Sequence, residues 1–347
     1  MFGTFRTALA LMVVAQHLGG APRMGAYAVF GFYVLSGYLM SCIMHRDYGH
    51  TPAGAARYLL NRFLRIYPIY WLSIGLSALL IALVGEQFAT AYRPTLYLPG
   101  SVDELARNIL IFFPARAAPR LIPPAWALTV ELCFYILIGL GLSKTRKSVI
   151  VWFAASVAYH VVAVTAQFGW PYQYFAIPSA SLPFATGALI FHFGASIPQY
   201  FRRALDLTGA WVPLVLVGII LANWLGGWLT GRSTGIFFYS NYVLCSLAVA
   251  GLSEIKPSSW LTRRFDKRLG DLSYPIYLVH FLAGLTVFYL YHALGIGVSR
   301  HGAGLVLSSL PLILAVSGIL AAGVERPLDV VRARIKQRSS PSAQLLS

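Results

Sequence analysis

Charged residues are scarce in this 347-residue chain, and acidic residues are the scarcest. Asp, Glu, Lys and Arg make up 11% of the sequence, with 11 acidic against 27 basic residues, while 58% of the residues are hydrophobic. The surface of a soluble domain needs about 25% charged residues, so the composition excludes a soluble globular protein. Together with a mean hydropathy of +0.67, it predicts an integral membrane protein.

The sequence also lacks the motifs of several common chemistries. It has only three cysteines, Cys42, Cys133 and Cys245, all in apolar segments and without the spacing of a metal site or a disulfide framework. It contains no Gly-rich nucleotide loop, no zinc motif and no exposed G-x-S-x-G elbow. We therefore expect no bound metal.

The net charge of +16 is explained by membrane topology, because the basic residues are dispersed at the ends of apolar segments. We therefore expect no nucleic-acid partner. With the N-terminus in the cytoplasm, 20 of the 27 basic residues fall on the cytoplasmic side, as the positive-inside rule requires. About 20 apolar residues span a bilayer. The sequence thus predicts an all-α bundle of about ten transmembrane helices with both termini cytoplasmic, over residues 4–22, 25–44, 66–86, 124–142, 148–169, 174–195, 209–229, 236–252, 273–295 and 303–324.

The connections between these segments are short except in a few places. Residues 1–328 form a single transmembrane domain in this interpretation, and residues 329–347 form a partly disordered cytoplasmic tail. Residues 45–65 are basic with interspersed apolar residues, which is typical of an interfacial helix. Residues 87–123 form a long outer loop, which is either a lid or acceptor platform or a plain plug.

Two ionisable residues, Arg6 and His17, lie eleven positions apart in the first apolar segment. At ~100° per residue they share a helix face to within roughly 20°, with ~16 Å of rise between them. Ionisable groups inside a membrane helix are costly and are functional candidates by default. The alternative is that Arg6 only marks the cytoplasmic end and His17 satisfies a neighbouring hydroxyl.

Glu131 is the only carboxylate well inside a predicted span. Because a buried charge is costly, we expect it to be protonated or paired with His17 or an arginine. An imidazole held by a carboxylate is a common general base for a hydroxyl nucleophile. His280, near the middle of the ninth segment, is either part of an active-site wall or a packing histidine.

The cytoplasmic side carries a second polar cluster. Arg62 and Arg65 are three positions apart, so they share a helix face and can bind phosphate, although juxtamembrane arginines also bind lipid head groups. Ser36-Gly37 reaches the middle of the second segment. Small residues there more often allow close helix packing than supply a nucleophile.

Together these fragments resemble the bacterial membrane acyltransferase family 3 over nearly the whole chain. One departure is Ala127, where the family commonly has serine. The resemblance rests on six motifs in the family's order: Arg6-x10-His17, Gly31-Phe-Tyr-Val-Leu-Ser36-Gly, Arg62-x-x-Arg65-Ile-x-Pro68, Trp126-Ala-Leu-Thr-Val-Glu131, Leu272-Ser-Tyr-Pro-Ile-Tyr-Leu-Val-His280 and Glu325-Arg-Pro327.

The resemblance implies transfer of an acyl group, usually acetyl, from cytoplasmic acyl-CoA to a hydroxyl. The acceptor would be a cell-surface or exported polysaccharide or its lipid-linked precursor, and the location the bacterial inner membrane among its lipids. A covalent acyl-enzyme stays open, as do a transporter or flippase for a lipid-linked sugar and acylation of a small molecule or lipid. The implied roles are CoA-phosphate binding by Arg6, Arg62 and Arg65, catalysis by His17 and Glu131, and substrate binding by Ser36, Trp126, Tyr277 and His280.

Overall fold

A computed structural model describes residues 1–113, 120–194, 211–255 and 259–337, and within these ranges all regular structure is helical. Residues 114–119 of the predicted outer loop and residues 338–347 of the predicted, partly disordered tail lie outside the described residues. The helices are α1 (Phe2–Gly19), α2 (Met24–Ile43), α3 (Pro52–Val84), α4 (Glu86–Tyr92), α5 (Val102–Leu110), α6 (Trp126–Gly139), α7 (Arg146–Thr165), α8 (Ile177–Phe193), α9 (Val212–Leu229), α10 (Ile236–Glu254), α11 (Trp260–Ala293), α12 (Ala303–Leu320) and α13 (Arg326–Gln337).

Seven helical stretches of the described chain are long and apolar enough to cross a membrane. They contain α2, α3, α7, α9, α10 and α11, and the last runs from α12 through α13. α6 and α8 are apolar but shorter, and α1 carries Arg6, Gln16 and His17 within its 18 residues. Each of the ten predicted segments contains a helix. The protein is therefore an all-helical, multi-pass membrane protein.

The structure corrects the prediction for residues 45–65, which do not form a helix of their own. A π-helical turn, Met44–Tyr48, extends α2. The Thr51 side chain then accepts a hydrogen bond from the Gly54 backbone N–H and begins α3, which continues without a break to Val84. No residue between Pro52 and Pro68 interrupts the helix, so the basic turns and the apolar stretch that follows them form one continuous helix.

Two other helices also begin or continue outside their predicted boundaries. α11 begins at Trp260 rather than at residue 273, and residues 329–337 of the predicted tail belong to the helix Arg326–Gln337. Both extensions are rich in basic residues. Hydropathy detects only the apolar part of such a helix, whereas the backbone hydrogen bonds continue into the polar part.

The N-terminal half of α1 packs tightly along α11. An added Cβ at Gly3 would lie 1.8 Å from the backbone oxygen of Asp266, and the Cα of Gly3 is 2.9 Å from the Cβ position of Gly270. The Asp266 carboxylate accepts hydrogen bonds from the Gly3 and Thr4 backbone N–H groups, at 3.1 and 2.8 Å. These contacts set the height of α1 against α11, and therefore the height of the ionisable residues on α1.

Small residues bring α2 and α8 together in the same way. An added Cβ at Gly37 would lie 2.1 Å from the Phe184 backbone oxygen, and one at Gly187 would lie 2.1 Å from that of Val34. Gly37 thus has the packing role predicted for Ser36-Gly37. Its neighbour Ser36 points elsewhere, into the cavity described below.

The described part of the predicted outer loop is packed onto the bundle. Ser101 caps α5 by accepting a hydrogen bond from the Glu104 backbone N–H. The Ser77 hydroxyl on α3 donates to the Leu121 carbonyl at 2.5 Å, and the Asn108 side-chain oxygen accepts from the Leu121 N–H at 3.0 Å. This segment leads into α6 and fixes where α6 begins.

Candidate active site

A cavity of about 300 Å³ lies between α1, α2, α3, α6, α11 and α13. Its walls are mixed, with apolar side chains from α2 and α6 and an unusual number of ionisable groups for the interior of a membrane protein. Of the predicted site residues, six line it: Arg6, Ser36, Arg62, Arg65, Glu131 and Tyr277. The other ionisable residues in the lining are Tyr33, Tyr135, Lys267, Asp271, Tyr274, Asp329 and Arg332.

The basic groups of the cavity differ in how they are paired. Among the described residues, no carboxylate lies within ion-pair distance of the Arg6 or Arg62 guanidinium. Arg62 instead donates to the Asn61 side-chain oxygen at 2.7 Å. Arg65 forms an ion pair with Glu325, whose side chain is 2% exposed. Arg6 and Arg62 therefore remain available to an anionic ligand, whereas the charge of Arg65 is already compensated.

Glu131 is hydrogen-bonded within the cavity wall and does not contact His17. The Ser36 hydroxyl donates to the Glu131 Oε1 atom at 2.7 Å, and the Tyr135 hydroxyl donates to the same oxygen. The predicted pairing of Glu131 with His17 or an arginine is therefore not observed. The reason is local, because Tyr135 lies one turn further along α6 and Ser36 faces Glu131 from α2.

His17 is instead paired with His280, the other intramembrane histidine predicted for the site. The His17 Nδ1 atom lies 2.9 Å from the His280 Nε2 atom, and the rings are nearly parallel with their centroids 5.1 Å apart. α1 and α11 pack side by side in the same direction, which places His17 and His280 at the same height along the two helices. His17 is partly exposed, whereas His280 is completely buried.

The hydrogen bonds of His280 determine the tautomers of the pair. The His280 Nδ1 atom is 3.2 Å from the Ile276 carbonyl oxygen, which can only accept, so this nitrogen carries a proton. In a neutral ring the His280 Nε2 atom is then an acceptor, and the His17 Nδ1–H donates to it. The His17 Nε2 atom is left with a lone pair, as a general base requires.

Tyr277 connects the cavity with the histidine pair. It lines the cavity, and its hydroxyl donates to the Pro124 carbonyl at 2.7 Å. It precedes His280 by one turn of α11, and their rings are 6.3 Å apart between centroids. Neither histidine lines the cavity. The histidine pair therefore lies outside the cavity, one helical turn of α11 beyond Tyr277 in its wall.

Trp126 lies outside the cavity. Its ring packs against Tyr174 and Phe175, with centroids 5.3 and 4.7 Å away. Like the two histidines, Trp126 is therefore not part of the cavity lining, and it belongs to an aromatic cluster with the π-helical turn Pro171–Phe175.

Sequence reasoning missed three polar residues close to the arginines of the site. Asn61, Lys267 and Arg332 come from α3, α11 and α13, and the last two line the cavity. Each was read as part of a basic surface segment. The one available signal was the position of Asn61 directly before Arg62, because an uncharged amide is uncommon in a buried stretch between arginines.

Comparison with known proteins identifies the family. The sequence model described as "Acyltransferase domain" matches residues 2–322. The chain is 27% identical over 331 residues to the exopolysaccharide production protein ExoZ of Rhizobium meliloti (strain 1021), covering 92% of this chain and 94% of that protein.

Two further relatives have different names. Nodulation protein 10 of Rhizobium leguminosarum bv. viciae is 26% identical over 280 residues, covering 74% of this chain and 71% of that protein. Acyltransferase MdmB of Streptomyces mycarofaciens is 25% identical over 342 residues, covering 88% and 81% respectively. No solved structure matches the chain. Because the family match covers nearly the whole chain, the protein belongs to the acyltransferase family that its motifs resemble and is an O-acyltransferase.

Proposed function

We propose that the protein transfers an acetyl group from cytoplasmic acetyl-CoA to a hydroxyl of an exported or cell-surface polysaccharide, or of its lipid-linked precursor, in the bacterial inner membrane. The observation that carries the proposal is the basic cavity ending next to a histidine pair with a free ring nitrogen. The similarity to ExoZ, an exopolysaccharide production protein, supports a polysaccharide acceptor.

The proposed topology has ten spans, with α1, α6 and α8 crossing alongside the seven longer stretches and both termini in the cytoplasm. The charge distribution supports this orientation. The basic end of the cavity is formed by Lys267 near the start of α11 and by Arg332 of α13, and both then face the cytoplasm, where acyl-CoA is found.

The donor would bind with its phosphates at the basic end of the cavity. Arg6 and Arg62 are the cations in its lining that lack a carboxylate partner among the described residues. From Arg6 to His17 the helix rises ~16 Å, which suits an extended pantetheine arm. Ser36 and Tyr277 line the same cavity and would contact that arm.

In the proposed reaction the His17 Nε2 atom takes the proton of the acceptor hydroxyl. The hydroxyl oxygen attacks the thioester carbonyl, the C–S bond breaks and an oxygen ester forms. The CoA thiolate leaves with the proton held by His17. His280 holds the His17 ring through the 2.9 Å hydrogen bond, the role that the sequence had suggested for Glu131.

Glu131 and Trp126 receive different roles in this scheme. Glu131 orients the Ser36 and Tyr135 hydroxyls in the donor cavity through its Oε1 atom. We assign Trp126 to the acceptor side, because it packs outside the donor cavity.

The test is an acyl-transfer assay with the purified protein in detergent micelles, using radiolabelled acetyl-CoA and candidate glycans. Label that moves to a glycan hydroxyl, and is released from it by mild alkali, is the expected result. Transfer needs no sealed compartment, whereas a transporter or flippase does. Glycan movement in proteoliposomes without any ester formation would therefore favour the transport alternative. If the label is found only on a small molecule or lipid, that molecule and not a polysaccharide is the acceptor.

A further inference from the structure

We propose that Arg332 and Arg62 together bind the diphosphate of the acyl donor, with Asn61 holding the two guanidiniums side by side. This assignment rests on the acyl-CoA donor proposed above and names the groups that recognise it. Arg332 lies in α13, beyond residue 322 at which the family match ends.

The geometry of Asn61 carries the proposal. Its side-chain oxygen accepts hydrogen bonds from Arg62 Nη2 at 2.7 Å and from Arg332 Nε at 3.3 Å. Its side-chain Nδ2 donates to the Arg332 carbonyl oxygen at 3.1 Å. Asn61 is 3% exposed. One buried, uncharged amide thus fixes two cationic side chains next to each other without neutralising either.

The charges around this pair favour an anionic ligand with two linked phosphoryl groups. Arg62 has no carboxylate within ion-pair distance among the described residues, and its Nε atom is buried without a hydrogen-bond partner. Arg332 contacts Asp329 at 2.6 Å, and Asp329 is also 3.6 Å from Lys267. Adjacent guanidiniums are the usual partners of phosphate oxygens, because their planar N–H groups match them in pairs.

The structure favours Arg332 over Arg65 as the second cation. Arg65 is paired with the buried Glu325, and binding phosphate there would leave a carboxylate uncompensated in the protein interior. Arg332 is held by the Asn61 amide and by Asp329, whose side chain is 32% exposed, so binding phosphate there leaves no buried carboxylate uncompensated. The 3.0 Å contact of Lys336 with Asp47 ties α13 to the rest of the protein. The second arginine of the pair therefore comes from the far end of the chain.

The experiment measures binding and turnover by the full-length protein in micelles with three donors: acetyl-CoA, 3′-dephospho-acetyl-CoA and S-acetylpantetheine, which has no diphosphate. Arg332→Ala is expected to weaken binding of both CoA thioesters about 10- to 100-fold, as loss of a charge-assisted contact does. Its preference for acetyl-CoA over S-acetylpantetheine falls by the same factor. Arg334→Ala removes the same charge from an exposed position two residues away and keeps that preference.

Three results would overturn the assignment. An equal loss with all three donors would make Arg332 a structural residue, and no loss with either CoA thioester would remove it from the site. A loss confined to acetyl-CoA would assign Arg332 to the 3′-phosphate. Asn61→Ala provides a second measurement. As a single substitution it should weaken CoA binding, but it should weaken binding little further when it is combined with Arg332→Ala.

The proposal can fail separately from the proposed function. Calorimetric titration with CoA itself measures the affinity of the arginine pair for CoA without any turnover. Arg332→Ala must lower that affinity. If the wild-type protein binds CoA through Arg332 but transfers no acetyl group, the transfer reaction is wrong and the pair stands. If acetyl transfer is normal and the variant binds CoA as tightly as the wild type, the pair is wrong.

Discussion

The His17 Nδ1 atom donates to the His280 Nε2 atom over 2.9 Å, and the two residues are 263 positions apart in the chain. Because the His280 Nδ1–H is donated to the Ile276 carbonyl, the direction of this hydrogen bond is determined. It leaves one unprotonated nitrogen, the Nε2 atom of His17. The pair therefore unites two candidate residues that the sequence assigned to different roles.

Replacing His17 tests the base directly. We expect His17→Gln to fold and bind CoA but to lose acyl transfer about 10²- to 10⁴-fold, the usual contribution of a general base. The measurement is kcat with labelled acetyl-CoA, with retention on gel filtration as the check of folding. His292→Gln, at an exposed position of α11, is the matched control. Full activity of His17→Gln would remove the mechanism.

Replacing His280 tests whether it acts through the tautomer of His17. Glutamine can still accept from the His17 Nδ1–H, whereas leucine cannot. We expect His280→Leu to lower kcat about 10- to 100-fold, as removal of a ring-orienting partner does elsewhere, and His280→Gln to recover much of it. Arg93 and His301 also act electrostatically on His17, so activity is compared over a full pH profile. An equal loss of kcat in both variants would indicate that His280 has only a packing role.

The hydrogen bonds of Glu131 predict a graded response. Glu131→Gln retains an acceptor for Ser36 and Tyr135, so we expect nearly normal stability and a modest loss of kcat. Glu131→Ala leaves both hydroxyls without their partner, which costs about 1–3 kcal/mol for each buried group left unsatisfied. Thermal unfolding in detergent measures the difference. A loss of activity in Glu131→Gln as large as that of His17→Gln would revive direct action of the carboxylate on His17.

The Arg65–Glu325 ion pair predicts a stability effect rather than a binding effect. Glu325 is 2% exposed, and breaking a buried pair on one side costs about 3–5 kcal/mol. We expect Glu325→Gln and Arg65→Gln each to lower the unfolding temperature, and the double variant to lower it by less than their sum. The KM for acetyl-CoA should change little in variants that fold. A large rise in KM for Arg65→Gln alone would return Arg65 to the phosphate site.

His50, in the turn between α2 and α3, predicts a pH dependence of the protein's stability. Burial, and then the neighbouring His45, lowers the pKa of His50 from 6.5 to about 4. Between these values the unfolded chain binds a proton that the folded protein does not, so stability falls as the pH is lowered from about 6.5 towards 4. Thermal unfolding of the wild type and of His50→Gln between about pH 6.5 and pH 4 measures this loss of stability. The variant should lose less stability on acidification, and equal pH slopes would contradict the assignment.

The helical segments were largely predictable because hydropathy is a local property. Each predicted segment contains a helix, and Gly37 has its expected packing role. The misjudged boundaries are those of α3, α11 and the C-terminal helix α13. In all three, basic turns extend an apolar helix, and a hydropathy window cannot distinguish a polar helical turn from a loop.

The candidate site was predictable as a set of residues but not as a set of partners. Arg6, Arg62, Ser36 and Glu131 do line one cavity, as polar groups excluded from lipid tend to converge. The expected partner of His17 was wrong, because the choice depends on how far α1 is shifted along α11. The contact of Gly3 with Gly270 sets that shift, and nothing local to His17 encodes it.

By itself the sequence determined that this is a helical membrane protein, because a long apolar run with few charges has one stable solution in lipid. Its six ordered motifs also determined the acyltransferase family. Only the tertiary structure decided that His17 meets His280, that Arg65 meets Glu325 and that Asn61 joins Arg62 to Arg332. Each of these pairs joins helices distant in the chain, so it depends on the rotation and height at which whole helices pack.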